Sequence, residues 1–187
     1  MTTATSSATK STPAVGVWDI DPAHSHISII ARHLMVTKVR GTFEDISGTI
    51  EVAEDPTRSS ARVEAKAASV TTGVIDRDGH LRSPDFLDTE TYPQITFEST
   101  AVTPKGDDWK LTGDLTIRGV TKPVSFDLAY EGTAEDPYGN TKAAFVASGE
   151  IDREEFGLTW NATLEGGGVL VSKNFKIEFE VQATPRT

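Results

Sequence analysis

Hydrophobic and polar residues alternate with a period of two over most of the chain, the pattern of half-buried β-strands. The clearest run lies near the C-terminus. Phe175, Ile177, Phe179 and Val181 share one face, and Lys176, Glu178, Glu180 and Gln182 share the other. From Asp108, Trp109, Leu111, Leu115 and Ile117 oppose Lys110, Thr112, Asp114 and Thr116. Val124, Phe126, Leu128 and Tyr130 alternate next, and Ala143, Phe145, Ala147 and Ile151 do so more weakly. Ile95 and Phe97 open another strand, and residues 25–33, 40–52 and 60–70 fit three more, about eight in all. Short turn signals separate them, among them Asp55-Pro56, Pro104-Lys105-Gly106, Arg118-Gly119 and Asp136-Pro137-Tyr138-Gly139-Asn140. Links this short predict hairpins and antiparallel pairing. Residues 74–92 break the alternation; Val74, Asp78 and Leu81 fit a helical spacing that Ser83-Pro84 ends. One short helix plus a helical turn is expected there, packed over an end of the sheet. The expected organisation is a disordered Ser/Thr-rich tail at 1–15, one all-β domain over 16–183, and a C-terminal tail at 184–187.

Eight alternating strands must manage their edges, and closure into a barrel or a two-sheet sandwich does so. The inward positions contain many small residues. Strand 60–70 places Ala61, Val63, Ala65, Ala67 and Ser69 on its apolar face, and Gly48, Ser99, Ala101, Gly113, Ala143, Ala147 and Gly149 fall inward elsewhere. The volume they leave is filled by large neighbours, left as a cavity at a cost, or used for a ligand.

Composition narrows the functions. Lys plus Arg number 18 and Asp plus Glu 28, for a net charge of −10, which argues against nucleic-acid binding. Apolar content is 37%, consistent with a thin or hollow core. The chain has no Cys, so disulfides, zinc-thiolate sites and thiol nucleophiles are excluded. No apolar run reaches the length of a membrane span, and residues 1–15 lack the apolar stretch of a secretory signal. The expected location is the cytoplasm.

Candidate chemistry is sparse. His24 and His26 on one strand would point the same way, a metal-compatible pair, but His33 has the opposite parity. Basic residues gather in irregular regions: Arg32, Lys38, Arg40, Arg77, Arg82, Arg118 and Lys122. Arginines converging at a barrel mouth would suit a phosphate head group; pairing with Asp76, Asp78, Asp85 and Asp88 is the alternative. Asp152, Glu154 and Glu155 offer carboxylates for acid–base work, with no spacing that singles out a pair. Nucleophile-elbow, P-loop and dinucleotide fingerprints are absent, and Gly166-Gly167-Gly168 reads as a turn. Trp160 falls in the loop between the last two strands.

Four long segments resemble the YceI-like family of polyisoprenoid-binding or lipid-binding proteins: DPAHSHISIIARHLMVTKVRGTF (21–43), DRDGHLRSPDFLDTETYPQITFES (76–99), LTGDLTIRGVTKPVSFD (111–127) and DREEFGLTWNATLEGGGVLVSKNFKIEFE (152–180). The resemblance implies an all-β fold: an eight-stranded antiparallel lipocalin-like β-barrel with a short helical insert. It implies an apolar channel for a long isoprenoid or fatty chain, and members of the family often associate as dimers, so a homodimer is a candidate assembly. The expected function is non-enzymatic binding of an isoprenoid-type lipid, a polyprenyl phosphate or an isoprenoid quinone, for carriage, storage or sequestration. No cofactor is expected beyond that lipid, and no catalytic or metal residues are assigned. The lining candidates are Ile27, Ile29, Phe43, Val63, Ala65, Ala67, Phe97, Leu115, Phe126, Leu128, Phe145, Trp160, Phe175 and Ile177. Ordinary core packing is the alternative for each. His33, Arg77 and Arg82 are the head-group candidates. The competing functions are an enzyme acting on a small apolar substrate through His33 or the carboxylates, and a metal-binding or stress protein using His24 and His26.

Overall fold

A computed structural model describes residues 12–187. Eleven strands are formed: β1 (Gly16–Ile20), β2 (His26–His33), β3 (Thr37–Phe43), β4 (Ile46–Val52), β5 (Ser60–Lys66), β6 (Val70–Thr71), β7 (Gln94–Lys105), β8 (Asp108–Ile117), β9 (Val120–Glu135), β10 (Thr141–Asp152) and β11 (Asn174–Pro185). Among the described residues there is one α-helix, α1, which spans Ile75–Arg82. Every pairing is antiparallel. Three long staves are broken in the middle, β1 with β2, β3 with β4, and β5 with β6. Counted as staves, the chain forms a closed eight-stranded up-and-down barrel. β11 closes it, holding β1 through Ile20–Ala183 and β2 through Ile27–Phe179.

The first stave begins at Gly16, well before the strand expected from residue 25. Pro22 interrupts it, because proline cannot donate to the ladder and starts a 3-10 turn over Pro22–His24. Ser25 bridges the gap: its Oγ donates to Gln182 O at 3.1 Å and accepts from Gln182 N at 2.9 Å. The C-terminal ladder runs through Pro185, inside the segment expected as a tail. Arg186 N donates to Val17 O, and its Nε reaches Asp19 Oδ2 at 3.0 Å. Residues 1–11 of the expected N-terminal tail lie outside the described residues, whereas Pro13 is buried.

Alternation holds where it was clearest. Trp109, Leu111, Leu115 and Ile117 are buried along β8, and Phe175, Ile177, Phe179 and Val181 along β11. One end of the barrel is plugged. Leu81 of α1, Leu87 of the following turn, and Phe156, Leu158 and Val171 of the β10–β11 connection join the core there. The start of β1, the C-terminus and the turns at 53–59, 106–107 and 136–140 gather at the opposite, terminus end.

Two buried charges hold the plug. Asp78 of α1 accepts from Thr72 N at 2.7 Å, Thr72 Oγ1 at 2.6 Å and Thr71 Oγ1 at 3.2 Å. Burial pushes its carboxyl up, but these donors outweigh burial and hold it below the ordinary value. Arg153 is fully buried and donates to Ser172 O, Leu158 O and Trp160 O at 2.8, 2.6 and 2.9 Å. Burial lowers its pKa, opposed by Glu154 and Asp152.

Candidate functional site

The interior is hollow at the end opposite α1. A chamber of about 110 Å³ lies there, walled by Ile20, Ile50, Val52, Val63, Phe97, Val102, Trp109, Leu111, Phe126, Leu128, Tyr130, Phe145, Ala147, Phe179 and Val181. Thr12, Pro13, Pro56, Ser59, Ser60 and Ala61 line its remaining side and belong to segments at the terminus end. Trp18 Nε1 donates to Ala14 O at 2.9 Å, which holds the segment carrying Pro13 against this end. A second space of about 20 Å³ lies toward α1 among Ile27, Phe43, Ala65, Ile95, Leu115, Ile117 and Ile177. No charged side chain lines either space among the described residues.

Why most of the volume remains at one end follows from the small residues. Several of the inward glycines are seats rather than gaps. A Cβ on Gly113 would fall 2.6 Å from Phe97 Cζ, and one on Gly149 would fall 2.8 Å from Phe126 Cδ1. A Cβ on Gly48 would fall 2.9 Å from Ile20 Cδ1. Large neighbours fill those positions, so the rings of Phe97 and Phe126 occupy mid-barrel. The large chamber survives at the end where the small side chains of Ala61 and Ala147 form part of the wall.

The lining candidates divide accordingly. Val63, Phe97, Phe126, Leu128 and Phe145 line the large chamber. Ile27, Phe43, Val63, Ala65, Phe97, Leu115 and Ile177 line the small one. Ile29, Ala67, Trp160 and Phe175 line neither. Ile29 is half-buried against the core. Ala67 sits in the 3-10 turn between β5 and β6. Phe175 lies beneath Arg153, whose Cζ is 5.7 Å from the ring centroid. Trp160 packs on His80 and Phe86 at 4.6 and 5.3 Å, fastening the β10–β11 connection to α1. Ile20, Ile50, Val52, Val102, Trp109, Leu111, Tyr130, Phe179 and Val181 line the large chamber as well. Parity alone points to several of them, since Phe179 and Val181 share a face with Ile177, and Trp109 and Leu111 share one with Leu115.

The head-group candidates lie at the plugged end, away from the large chamber. Arg77 Nε donates to Thr72 Oγ1 at 2.7 Å, and Arg82 donates to Ala68 O and Val70 O, both at 2.8 Å. Both guanidinium groups tie α1 to the chain around β6. His33 is exposed and forms a bridge with Val171. The imidazole pair does not form a shared site. His24 falls in the 3-10 turn and meets Asp21, while His26 opens β2 and meets Glu180. Among the described residues no three His, Asp or Glu side chains cluster as metal ligands. Asp152 caps the 3-10 turn Arg153–Phe156 by accepting from Glu154 N at 3.0 Å, and it pairs with Lys173 at 3.2 Å.

No helix among the described residues is long and apolar enough to cross a membrane. The architecture recurs in solved structures. A polyisoprenoid binding domain from Saccharophagus degradans superposes with a TM-score of 0.67 over 92% of this chain and 100% of that one, at 16% identity. The YCEI protein of Campylobacter jejuni gives a TM-score of 0.70 and 31% identity over 83% of this chain and 90% of that one. Protein YceI of Escherichia coli is 41% identical over 141 residues, 75% of this chain and 74% of its own length. A family described as the YceI-like domain matches residues 18–183. The barrel, its connections and these matches together place the chain in the YceI-like family.

Proposed function

We propose that this protein binds the apolar chain of an isoprenoid-type lipid inside its barrel and carries, stores or sequesters it without chemistry. The observation that carries this reading is a chamber of about 110 Å³ whose walls are apolar and uncharged. An apolar void of this kind stays dry, and an engineered cavity of about 150 Å³ takes up benzene. Burial supplies the affinity, at about 0.8 kcal/mol for each CH₂ taken out of water, so no cofactor is needed. A charged head group would find no cation among the described residues that line the chamber. The head is therefore neutral, as in a quinone or alcohol, or it stays at the terminus end while the chain enters. The name of the Saccharophagus degradans domain supports the same ligand class. An enzymatic role lacks geometry: His33 is exposed and lines neither space, and Asp152 and Glu154 serve a cap and ion pairs with Lys173.

Native mass spectrometry of purified protein, followed by organic extraction, tests the proposal. A bound species with an isoprenoid fragmentation series is expected. Protein that carries no lipid and takes none up from a mixture of prenols and quinones would overturn it.

A further inference from the structure

The two interior spaces share three wall residues, Val63, Phe97 and Phe179. Three rings meet across the lumen at that level. Phe97 on β7 and Phe126 on β9 have centroids 5.4 Å apart, Phe126 and Phe179 on β11 5.1 Å, and Phe97 and Phe179 6.3 Å. Two of the three pairs are edge-on, the geometry that aromatic quadrupoles favour. The cluster is a septum. It separates the chamber of about 110 Å³ from the remnant of about 20 Å³ beyond it.

The rings are not held alike. Phe97 lies against Gly113 and Phe126 against Gly149, each closer than a Cβ would allow, so both are seated on backbone. No glycine seats Phe179. Its cross-strand neighbours are Ala147 and Ile27, and it is the most exposed of the three rings. A long apolar chain entering from the terminus end meets this ring before it can reach the space under α1.

We propose that Phe179 is the specificity-determining residue that sets how much of an isoprenoid chain the barrel accepts. With the ring in place, the barrel buries a short segment and leaves the rest of a longer chain in water. Displacing the ring joins the two spaces into one channel. This inference rests on the lipid-binding reading above and adds a length limit to it.

The experiment displaces a fluorescent apolar probe with a ladder of isoprenol, geraniol, farnesol and geranylgeraniol. The proteins are the full chain, Phe179→Ala, and Phe179→Leu as a milder variant that keeps apolar packing. In the unchanged protein, affinity rises along the first members of the ladder and then levels off. In the variants it keeps rising, by about tenfold or more for each added isoprene unit that gains burial. If affinity of the unchanged protein climbs through geranylgeraniol and Phe179→Leu follows the same profile, the septum is overturned and lipid binding stands. If no protein displaces the probe with any prenol, the lipid-binding reading itself fails, and the length limit falls with it.

Discussion

Replacing Arg153 with Met tests how the closed end of the barrel is held. The guanidinium is fully buried and forks across three carbonyls of one connection, at Ser172, Leu158 and Trp160. Met keeps an unbranched apolar stem and removes the guanidinium with all three of its hydrogen bonds. The Ser172 and Leu158 bonds are buried, so those acceptors become orphans at about 1–3 kcal/mol each. Trp160 O is only part-buried and regains water. Met also no longer bears the desolvation of a buried cation, which offsets part of that loss. The two orphans together cost about 2–6 kcal/mol, so the expected net destabilisation is about 2–4 kcal/mol. Arg153→Lys recovers less than half, because one ammonium cannot span the three carbonyls. Urea denaturation reads the loss, and amide exchange reads where it falls. Leu158 N, which donates to Arg153 O, and Leu170 N, which donates to Ala162 O, lose protection first. A Met variant within about 0.5 kcal/mol of the unchanged protein, with unaltered exchange in that connection, would refute the argument.

Further predictions follow from other parts of the barrel. Gly149→Ala places a methyl 2.7 Å from Ser125 O and 2.8 Å from the Phe126 ring, and overpacking of this kind lowers stability by about 1–3 kcal/mol in urea denaturation. Asp21 accepts from Lys142, from His24 and from Ala23 N, Lys142 contributing most, and its pKa is lowered to about 2. Its stabilisation is thus present above the unfolded-state value near 4 and lost as pH falls toward 2; Asp21→Asn costs about 1–2 kcal/mol at neutral pH and flattens the acid limb of the stability profile. Asp78→Ala removes every acceptor that holds α1 to Thr71 and Thr72 and raises proteolytic cleavage between residues 72 and 92, while leaving the chamber end unchanged. Trp18→Phe removes the indole donor to Ala14 O and speeds both uptake and release of an apolar probe, measured by stopped-flow fluorescence.

Much of this architecture was legible in the order of residues. Period-two runs located the later strands and their inward faces, because a strand with one buried face must alternate. Residues 74–92 lacked that period, and the chain does leave the sheet there. The short first strand, GVWDI, is not legible in the sequence because five residues before Pro22 carry little periodic signal. The small inward residues were ambiguous for a physical reason. Gly113 and Gly149 seat rings that lie on other strands, and only the register shows which ring meets which glycine. The arginines were the least legible. Arg77 and Arg82 suited a phosphate in chemistry, yet carbonyls and a hydroxyl around β6 take their N–H groups. Whether a cation faces a ligand or a backbone is decided by tertiary packing, which local sequence does not encode.

An apolar chain in the chamber at the terminus end lies against the methyl groups of its wall, and isotope-filtered NMR of methyl-labelled protein with geraniol reads those contacts. Contacts from the ligand to methyl groups of Val102, Leu111, Leu128 and Val181, which line that chamber, are expected. Contacts confined to exposed methyls such as those of Val36 and Ile75, or no contacts at saturating geraniol, would contradict that placement.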